Sequence, residues 1–153
     1  MATLKAGDKA PDFTSKDQNG EEVSLANFKG KTVILYFYPK DDTPGCTAEA
    51  CDFRDNYQSL ISKGYEVIGV STDDSKSHKK FETKYSLPFP LIADEDKSIN
   101  EAYGVWIEKN MYGKKYMGTA RTTFIIDADG IISKIIEKVD TKNASQQVLD
   151  LIG

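Results

Sequence analysis

Cys46 and Cys51 are the only cysteines in a chain of 153 residues, and His78 is its only histidine. Thiol chemistry is therefore the most specific chemistry on offer. The spacing is C-x4-C, not the C-x2-C of dithiol exchangers. Thr43 suits a helix N-cap and Pro44 the first helical position. Cys46 then falls in the first helical turn, where unpaired N–H groups and the positive end of the dipole favour thiolate over thiol. On an ideal helix, residues five apart have Cα atoms roughly 8.6 Å apart and point about 140° apart around the axis. A disulfide needs about 4.4 to 6.8 Å. The two cysteines cannot bond while that helix is intact. The geometry suits a thiol that reacts first with something else and is resolved later by a mobile partner. A buried structural thiol on the apolar face of its helix is the plainer alternative.

Composition removes other chemistries. A four-ligand zinc site would consume both cysteines, the only histidine and a carboxylate, and no metal is expected. A Ser-His-Asp triad would need His78, which lies in the polar run Asp73–Lys80 and reads as a solvated surface residue. Two cysteines do not make a disulfide scaffold. Lys and Arg number 20 against 24 Asp and Glu, a net charge of −4 that argues against nucleic acid or an anionic membrane as partner. The longest apolar run, Val33–Tyr38, is far short of the ~20 residues that span a bilayer. Met1–Phe13 has no apolar leader core, so a cytoplasmic protein is expected. Length, 29% charged and 39% hydrophobic residues predict one globular domain over residues 1–153.

The elements that must position Cys46 follow from pattern. Thr32–Tyr38 is β-branched and aromatic throughout, which predicts a strand buried on both faces. Pro39–Gly45 reads as a loop, and one helix follows to about Lys63, stopped by Gly64. Cys46, Ala50, Phe53, Tyr57, Leu60 and Ile61 form its apolar face. Cys46 thus sits at the carboxyl end of a buried strand, where open α/β sheets place ligands. Tyr65–Ser71 is a second strand, Ser75–Tyr85 a helix with Phe81 and Tyr85 inward, Leu91–Ala93 a short strand and Lys97–Tyr103 a brief helix. Thr122–Ile126 and Ile131–Ile136 form a hairpin across Asp127-Ala128-Asp129-Gly130. Asn143 or Ser145 caps a terminal helix carrying Val148, Leu149 and Ile152. At the other end, Asp17-Gln18-Asn19-Gly20 turns between Asp12–Ser15 and Glu22–Ser24, with Asn-Gly the favoured type I′ pair. Ser24 caps a helical turn over Leu25–Phe28, ended by Gly30. This order predicts an α/β, thioredoxin-like fold: a mixed central sheet flanked by helices, an N-terminal hairpin extension and an insertion around Leu87–Tyr116.

The segment Phe37-Tyr38-Pro39-Lys40-Asp41-Asp42-Thr43-Pro44-Gly45-Cys46-Thr47 resembles the active-site segment of peroxiredoxins, and most closely that of the bacterioferritin comigratory protein or peroxiredoxin Q subgroup. Pro39, Thr43 and Cys46 fill the family pattern P-x3-T-x2-C. The resemblance continues through Gly7–Phe13, Ile68–Asp73, Leu91–Asp96, Gly104–Trp106 and Arg121–Gly130. It implies a thioredoxin-fold thiol peroxidase acting on hydrogen peroxide and organic hydroperoxides. By the same resemblance, Cys46 is the peroxidatic cysteine, oxidised to a sulfenic acid, and Cys51 the resolving cysteine of an intramolecular Cys46–Cys51 disulfide. Thr43 is the hydroxyl that bonds peroxide and thiolate, Arg121 stabilises thiolate and transition-state charge, Pro39 shields the site and Glu49 orients the arginine. Thioredoxin is the implied reductant. No cofactor is implied, and a monomer is expected.

Two rival readings use the same cysteines: a disulfide reductase or isomerase, against which the missing C-x2-C counts, and a redox-sensing thioredoxin-like module without turnover. Without the resemblance, Arg121 reads as a surface ion pair. Lys40-Asp41-Asp42 reads as a solvated loop rather than a cation site. Trp106, Tyr103, Tyr112 and Tyr116 read as a hydrophobic rim near the site. Asp94-Glu95-Asp96 lacks the spacing of a calcium loop and reads as an acidic helix start.

Overall fold

A computed structural model of the chain describes residues 4–152. Residues 1–3 of the segment read for a leader, and residue 153, lie outside the described residues. The chain opens with β1 (Thr14–Lys16) and β2 (Glu22–Ser24), an antiparallel hairpin, then a 3-10 turn over Leu25–Phe28. The hairpin turn is not type I′, since of its residues only Gly20 has a positive φ, +74°. Asp17 accounts for the difference. Its Oδ1 accepts the backbone N–H groups of Asn19 and Glu21, at 2.8 and 3.1 Å, and holds a local turn of its own.

The chain then enters the central sheet with β3 (Thr32–Phe37) and passes into α1 (Pro44–Asp55) and α2 (Tyr57–Ser62). The expected single helix is two. Asn56 takes φ −108° and ψ 7° between them, its side-chain amide donating to the Asp52 carbonyl at 2.9 Å. The break turns Ile61 out to 41% exposure, so the apolar stripe ends at Leu60. β4 (Tyr65–Ser71), α3 (Ser75–Tyr85), β5 (Leu91–Ala93) and α4 (Ser98–Ala102) follow. Within the expected insertion, β6 (Trp106–Met111) and β7 (Lys114–Thr119) form a separate hairpin the pattern reading did not resolve. β8 (Thr122–Ile126), β9 (Ile132–Ile136) and α5 (Ala144–Ile152) complete the chain.

The central sheet runs β5-β4-β3-β8-β9, with β3, β4 and β5 parallel and β8 and β9 antiparallel to their neighbours. This is the mixed, thioredoxin-like sheet expected. β3 lies at its centre, and residues 33–38 are all at 1% exposure or less. Alternation divides them. Ile34, Tyr36 and Tyr38 pack with Cys46, Ala50, Phe53, Leu60, Phe81 and Val148, under α1, α2, α3 and α5. Val33, Leu35 and Phe37 face Phe13, Leu25, Ile99 and Tyr103 instead, so the second face is covered by α4, the 3-10 turn and the N-terminal stretch. Gly69 in β4 stands opposite Tyr36, and a Cβ there would come within 3.0 Å of that ring and of Leu91. The glycine makes room for the tyrosine beneath the site.

Candidate active site

The topology brings two distant residues to one end of the sheet. β3 delivers the chain at its carboxyl end to the loop before α1. β8 is antiparallel to β3 and pairs Thr122 with Phe37, so Arg121, just before β8, arrives beside the start of α1. Thr43 is the N-cap, Pro44 and Gly45 open the helix, and Cys46 is its third residue, 1% exposed. Arg121 Nη2 donates to Cys46 Sγ at 3.2 Å, while Nη1 donates to Glu49 Oε1 at 2.7 Å. One guanidinium thus bridges two residues three apart on one helix face. Gly45 leaves it room, because a Cβ there would lie 3.2 Å from Nη2. Burial opposes the charge on Arg121, but Cys46 and Glu49 outweigh it and hold the guanidinium firmly protonated.

Glu49 is wholly buried, and among the described residues its Oε2 and the Tyr36 hydroxyl are the buried side-chain polar atoms without a hydrogen-bond partner. Desolvation pushes the Glu49 carboxyl up to about 7, against the pull of Arg121. A carboxyl raised on folding binds its proton more tightly in the native than in the unfolded state. Native stability therefore falls as pH rises from the unfolded value toward about 7, and stays lowered above it. Glu49→Gln removes this titration, so whatever the loss of the Arg121 contact costs, its stability relative to wild type should rise by about 1 to 3 kcal/mol between about pH 5 and pH 8. Urea unfolding at the two pH values checks this. A relative stability that does not rise between the two contradicts it.

The other expected site residues are placed unevenly. Pro39 is half-buried in the loop after β3. Thr43 caps α1 through its backbone, its carbonyl accepting the Thr47 N–H at 2.8 Å. Its hydroxyl makes no capping bond and donates instead to the Lys40 carbonyl at 2.9 Å. Its oxygen can still accept a hydrogen bond as it stands, and only to donate to another group must it turn away from that carbonyl. Cys46 and Cys51 are both free thiols on the intact α1, so the ideal-helix separation of roughly 8.6 Å applies. Burial pushes the Cys51 thiol up, a shift Arg54 only partly offsets. α1 is also clamped beyond Cys51. Ser145 N–H donates to Asp52 Oδ2 at 2.7 Å, Arg54 Nη1 donates to the Tyr85 carbonyl at 2.8 Å, and Phe53 is fully buried.

Several plain readings are corrected here. His78 is not on the surface but fully buried, and Asp41 is buried against it rather than solvated. Asp42 is tied to α3 by Lys84 and Tyr85. The aromatic rim does not form, because Tyr103 is buried against Phe37 and Phe124, whereas Tyr112 at the tip of the β6–β7 hairpin is 99% exposed. Arg121 is no surface pair, being inside the site. Asp94 is an acidic helix start as expected, buried and accepting the N–H groups of Ile99 and Asn100. Sequence reasoning missed Lys109. Its stem lies against Gly118 across the β6–β7 hairpin, and burial and Arg121 lower its affinity for a proton while Cys46 raises it.

A sulfur set at a helix start, bonded by an arginine and with no second thiol in reach, is equipped to attack an electrophilic atom rather than exchange disulfides. On this sheet, that combination defines a thioredoxin-fold thiol peroxidase. The chain belongs to the AhpC/TSA family, whose model matches residues 6–135. It is 46% identical to the peroxiredoxin Bcp of Bacillus subtilis over 150 residues, covering 98% of this chain and 96% of that one. It is 47% identical to the peroxiredoxin Bcp of Escherichia coli, again over 98% and 96%. Among solved structures, a peroxiredoxin Q of Xanthomonas campestris superposes with a TM-score of 0.89 at 35% identity, over 96% of each chain. A structure of the bacterioferritin comigratory protein from the same organism, described for its alkyl peroxide reduction activity, gives 0.89 at 34%, over 97% of each chain. The chain is thus a peroxiredoxin, an oxidoreductase that reduces peroxides through a cysteine thiol.

Proposed function

We propose that Cys46 is the peroxidatic and Cys51 the resolving cysteine of a thioredoxin-dependent cycle. The Cys46 thiolate attacks the terminal peroxide oxygen, the O–O bond breaks, and the departing oxygen leaves as water or alcohol after taking a proton. Cys46 is then a sulfenic acid. The Cys51 thiol displaces its hydroxyl as water and forms the Cys46–Cys51 disulfide. A dithiol reductant, thioredoxin, returns both cysteines to thiols. Arg121 bonds the sulfur and faces the charge that builds on the departing oxygen, where a preorganised donor contributes several kcal/mol. Thr43 offers its hydroxyl to the peroxide, Pro39 shields the thiol and Glu49 holds the arginine. The observation that carries this reading is the Arg121 guanidinium, shared between Cys46 Sγ and Glu49.

Hydrogen peroxide and organic hydroperoxides are the proposed substrates, the latter supported by the alkyl peroxide activity described for the Xanthomonas relative. The chain is proposed to act as a single domain over residues 1–153, as a monomer in the cytoplasm, without nucleic acid or membrane. No helix among the described residues is long and apolar enough to cross a membrane. The test is NADPH consumption with peroxide, thioredoxin and thioredoxin reductase. Steady turnover is expected, and none would favour a redox-sensing module instead.

Cys51→Ser should differ from wild type in kind. It should take up one equivalent of peroxide rapidly and then stall, drifting to sulfinic and sulfonic acids as peroxide is added. Mass spectrometry of the variant should show one added oxygen on Cys46, then two and three. Unimpaired turnover with thioredoxin would place resolution outside Cys51.

A further inference from the structure

We propose that Asp41 and His78 form a buried ion pair that positions the loop entering α1, making both of them positioning residues for the reaction at Cys46; the inference rests on the peroxidatic reading of that cysteine. Asp41 lies between Pro39 and Thr43, and His78 lies on the inner face of α3. Their side chains are 4% and 0% exposed. His78 Nδ1 stands 2.6 Å from Asp41 Oδ2, and Nε2 stands 2.9 Å from the Ile92 carbonyl oxygen in β5. Each ring nitrogen therefore faces an acceptor. Asp41 already accepts from two hydroxyls, Tyr38 and Ser77, which favours its ionised form; against that carboxylate a neutral imidazole, with one N–H, would set lone pair against lone pair at one of these contacts. A ring protonated at both nitrogens, against an ionised Asp41, satisfies both.

Asp41 is the knot of the loop. The Tyr38 hydroxyl donates to its Oδ1 at 2.7 Å and the Ser77 hydroxyl to its Oδ2 at 2.8 Å. Its own N–H donates at 2.8 Å to Asp73 Oδ2, which also takes the Ser71 hydroxyl at 2.7 Å. One residue thus ties the loop to the ends of β3 and β4, to α3 and, through His78, to β5. The carboxyl oxygens of Asp41 and Asp73 and a ring nitrogen of His78 lie within 4.8 Å of one another. All three residues already have hydrogen-bond partners within the protein, which favours the ion pair over a cation.

The titratable groups facing the ring are Asp41, Asp73 and Tyr38. Burial works against a charged imidazole, but the hydrogen bond and charge of Asp41, the Ile92 carbonyl and the charge of Asp73 outweigh it. His78 keeps its proton above the ordinary histidine range. A histidine shifted this way contributes stability fully below about pH 6.5, and loses it as pH rises through the raised value. Only Asp42 and Thr43 separate Asp41 from α1. Asp42, at φ +56°, is itself held by Lys84 and Tyr85 of the same α3, each at 2.8 Å. Releasing Asp41 would let Pro39 and Thr43 move relative to the sulfur, and a misplacement of about 1 Å lowers rates by up to ~100-fold.

His78 is the only histidine, so its ring signals in an NMR spectrum are unambiguous. A pH titration of the nitrogen-15 shifts of wild-type protein should keep both ring nitrogens protonated to a higher pH than an ordinary histidine does. A ring that loses its second proton at or below the ordinary value overturns the proposal. His78→Gln should lower kcat/KM for hydrogen peroxide by about 10- to 100-fold. A double-mutant cycle with Thr43→Val separates positioning from mere stability. Residues acting through one loop should together lose less than the product of their single losses. Multiplicative losses, or wild-type kcat/KM in folded His78→Gln, overturn the proposal. If His78→Gln does not fold, Asp41→Asn takes its place in the cycle and the wild-type spectrum still decides. A wild-type protein without peroxidase activity would overturn the peroxidatic reading instead, and the spectrum records the ion pair separately.

Discussion

Cys46→Ser should abolish peroxide reduction. A serine hydroxyl ionises far above neutral pH and supplies almost no anion to attack an O–O bond, whereas a thiol supplies a strongly nucleophilic sulfur. The substitution changes little else. The side chain stays buried at the third position of α1, the helix keeps its cap, and Arg121 Nη2 still meets an acceptor where Sγ stood. Thermal unfolding should therefore stay near wild type while peroxide consumption falls to the background rate. Measurable turnover in pure, folded Cys46→Ser protein would remove Cys46 from the chemistry.

Arg121→Lys should be far from conservative. The guanidinium meets Cys46 Sγ and Glu49 Oε1 with two different nitrogens in a fixed plane. An ammonium is a single point on a flexible stem and cannot reproduce that fork. If it follows Glu49, the sulfur and the departing oxygen lose their donor; if it follows the sulfur, a wholly buried carboxylate is left without its partner. Either way kcat/KM should fall by one to three decades, about 1.4 to 4 kcal/mol of transition-state stabilisation. Burst kinetics of the first oxidation should show the loss directly. Activity within a factor of two of wild type would take Arg121 out of the site.

What was legible in the sequence was local. The buried strand, expected over Thr32–Tyr38 and found over Thr32–Phe37, the N-cap at Thr43, Pro44 at the first helical position and Cys46 in the first turn all follow from neighbouring residue types. Arg121 was different. It is 75 residues from Cys46 and joins it only through the antiparallel pairing of β8 with β3, so no local pattern could reach it. Only the family resemblance put it in the site. His78 was misread because its neighbours Lys76, Ser77, Lys79 and Lys80 are polar. Its helical spacing to Phe81 and Tyr85, three and seven residues on, was the signal of an inward face. The β6–β7 hairpin turns at Tyr112 and Gly113, with φ +53° and +80°, in a two-residue loop. A tyrosine at a left-handed position is uncommon, so the turn lacks the usual Asn or Asp there, although Asn110 Oδ1, two residues before it, accepts the Gly113 N–H at 3.1 Å. The break at Asn56 had no glycine or proline to announce it.

The intact α1 sets the cost of resolution. Joining Cys46 to Cys51 must shorten a Cα separation of roughly 8.6 Å by about 2 Å or more, which unwinds at least the first turns. Several backbone hydrogen bonds at about 1 kcal/mol each are lost. The Asp52–Ser145 and Arg54–Tyr85 bonds and the burial of Phe53 resist the unwinding further along. Peroxide attack uses the folded helix and disulfide formation the unwound one, so the sulfenic acid is exposed to a second peroxide while the helix opens.

The most direct measurement is to oxidise fully reduced protein with one equivalent of hydrogen peroxide, block remaining thiols, and compare hydrogen exchange and peptide linkage with the reduced form. A Cys46–Cys51 linkage should appear in step with peroxide loss. Amide protection over residues 46–54 should collapse while β3 stays protected. Peroxide consumed with both cysteines still alkylatable, or a verified linkage with α1 protection unchanged, would contradict the account.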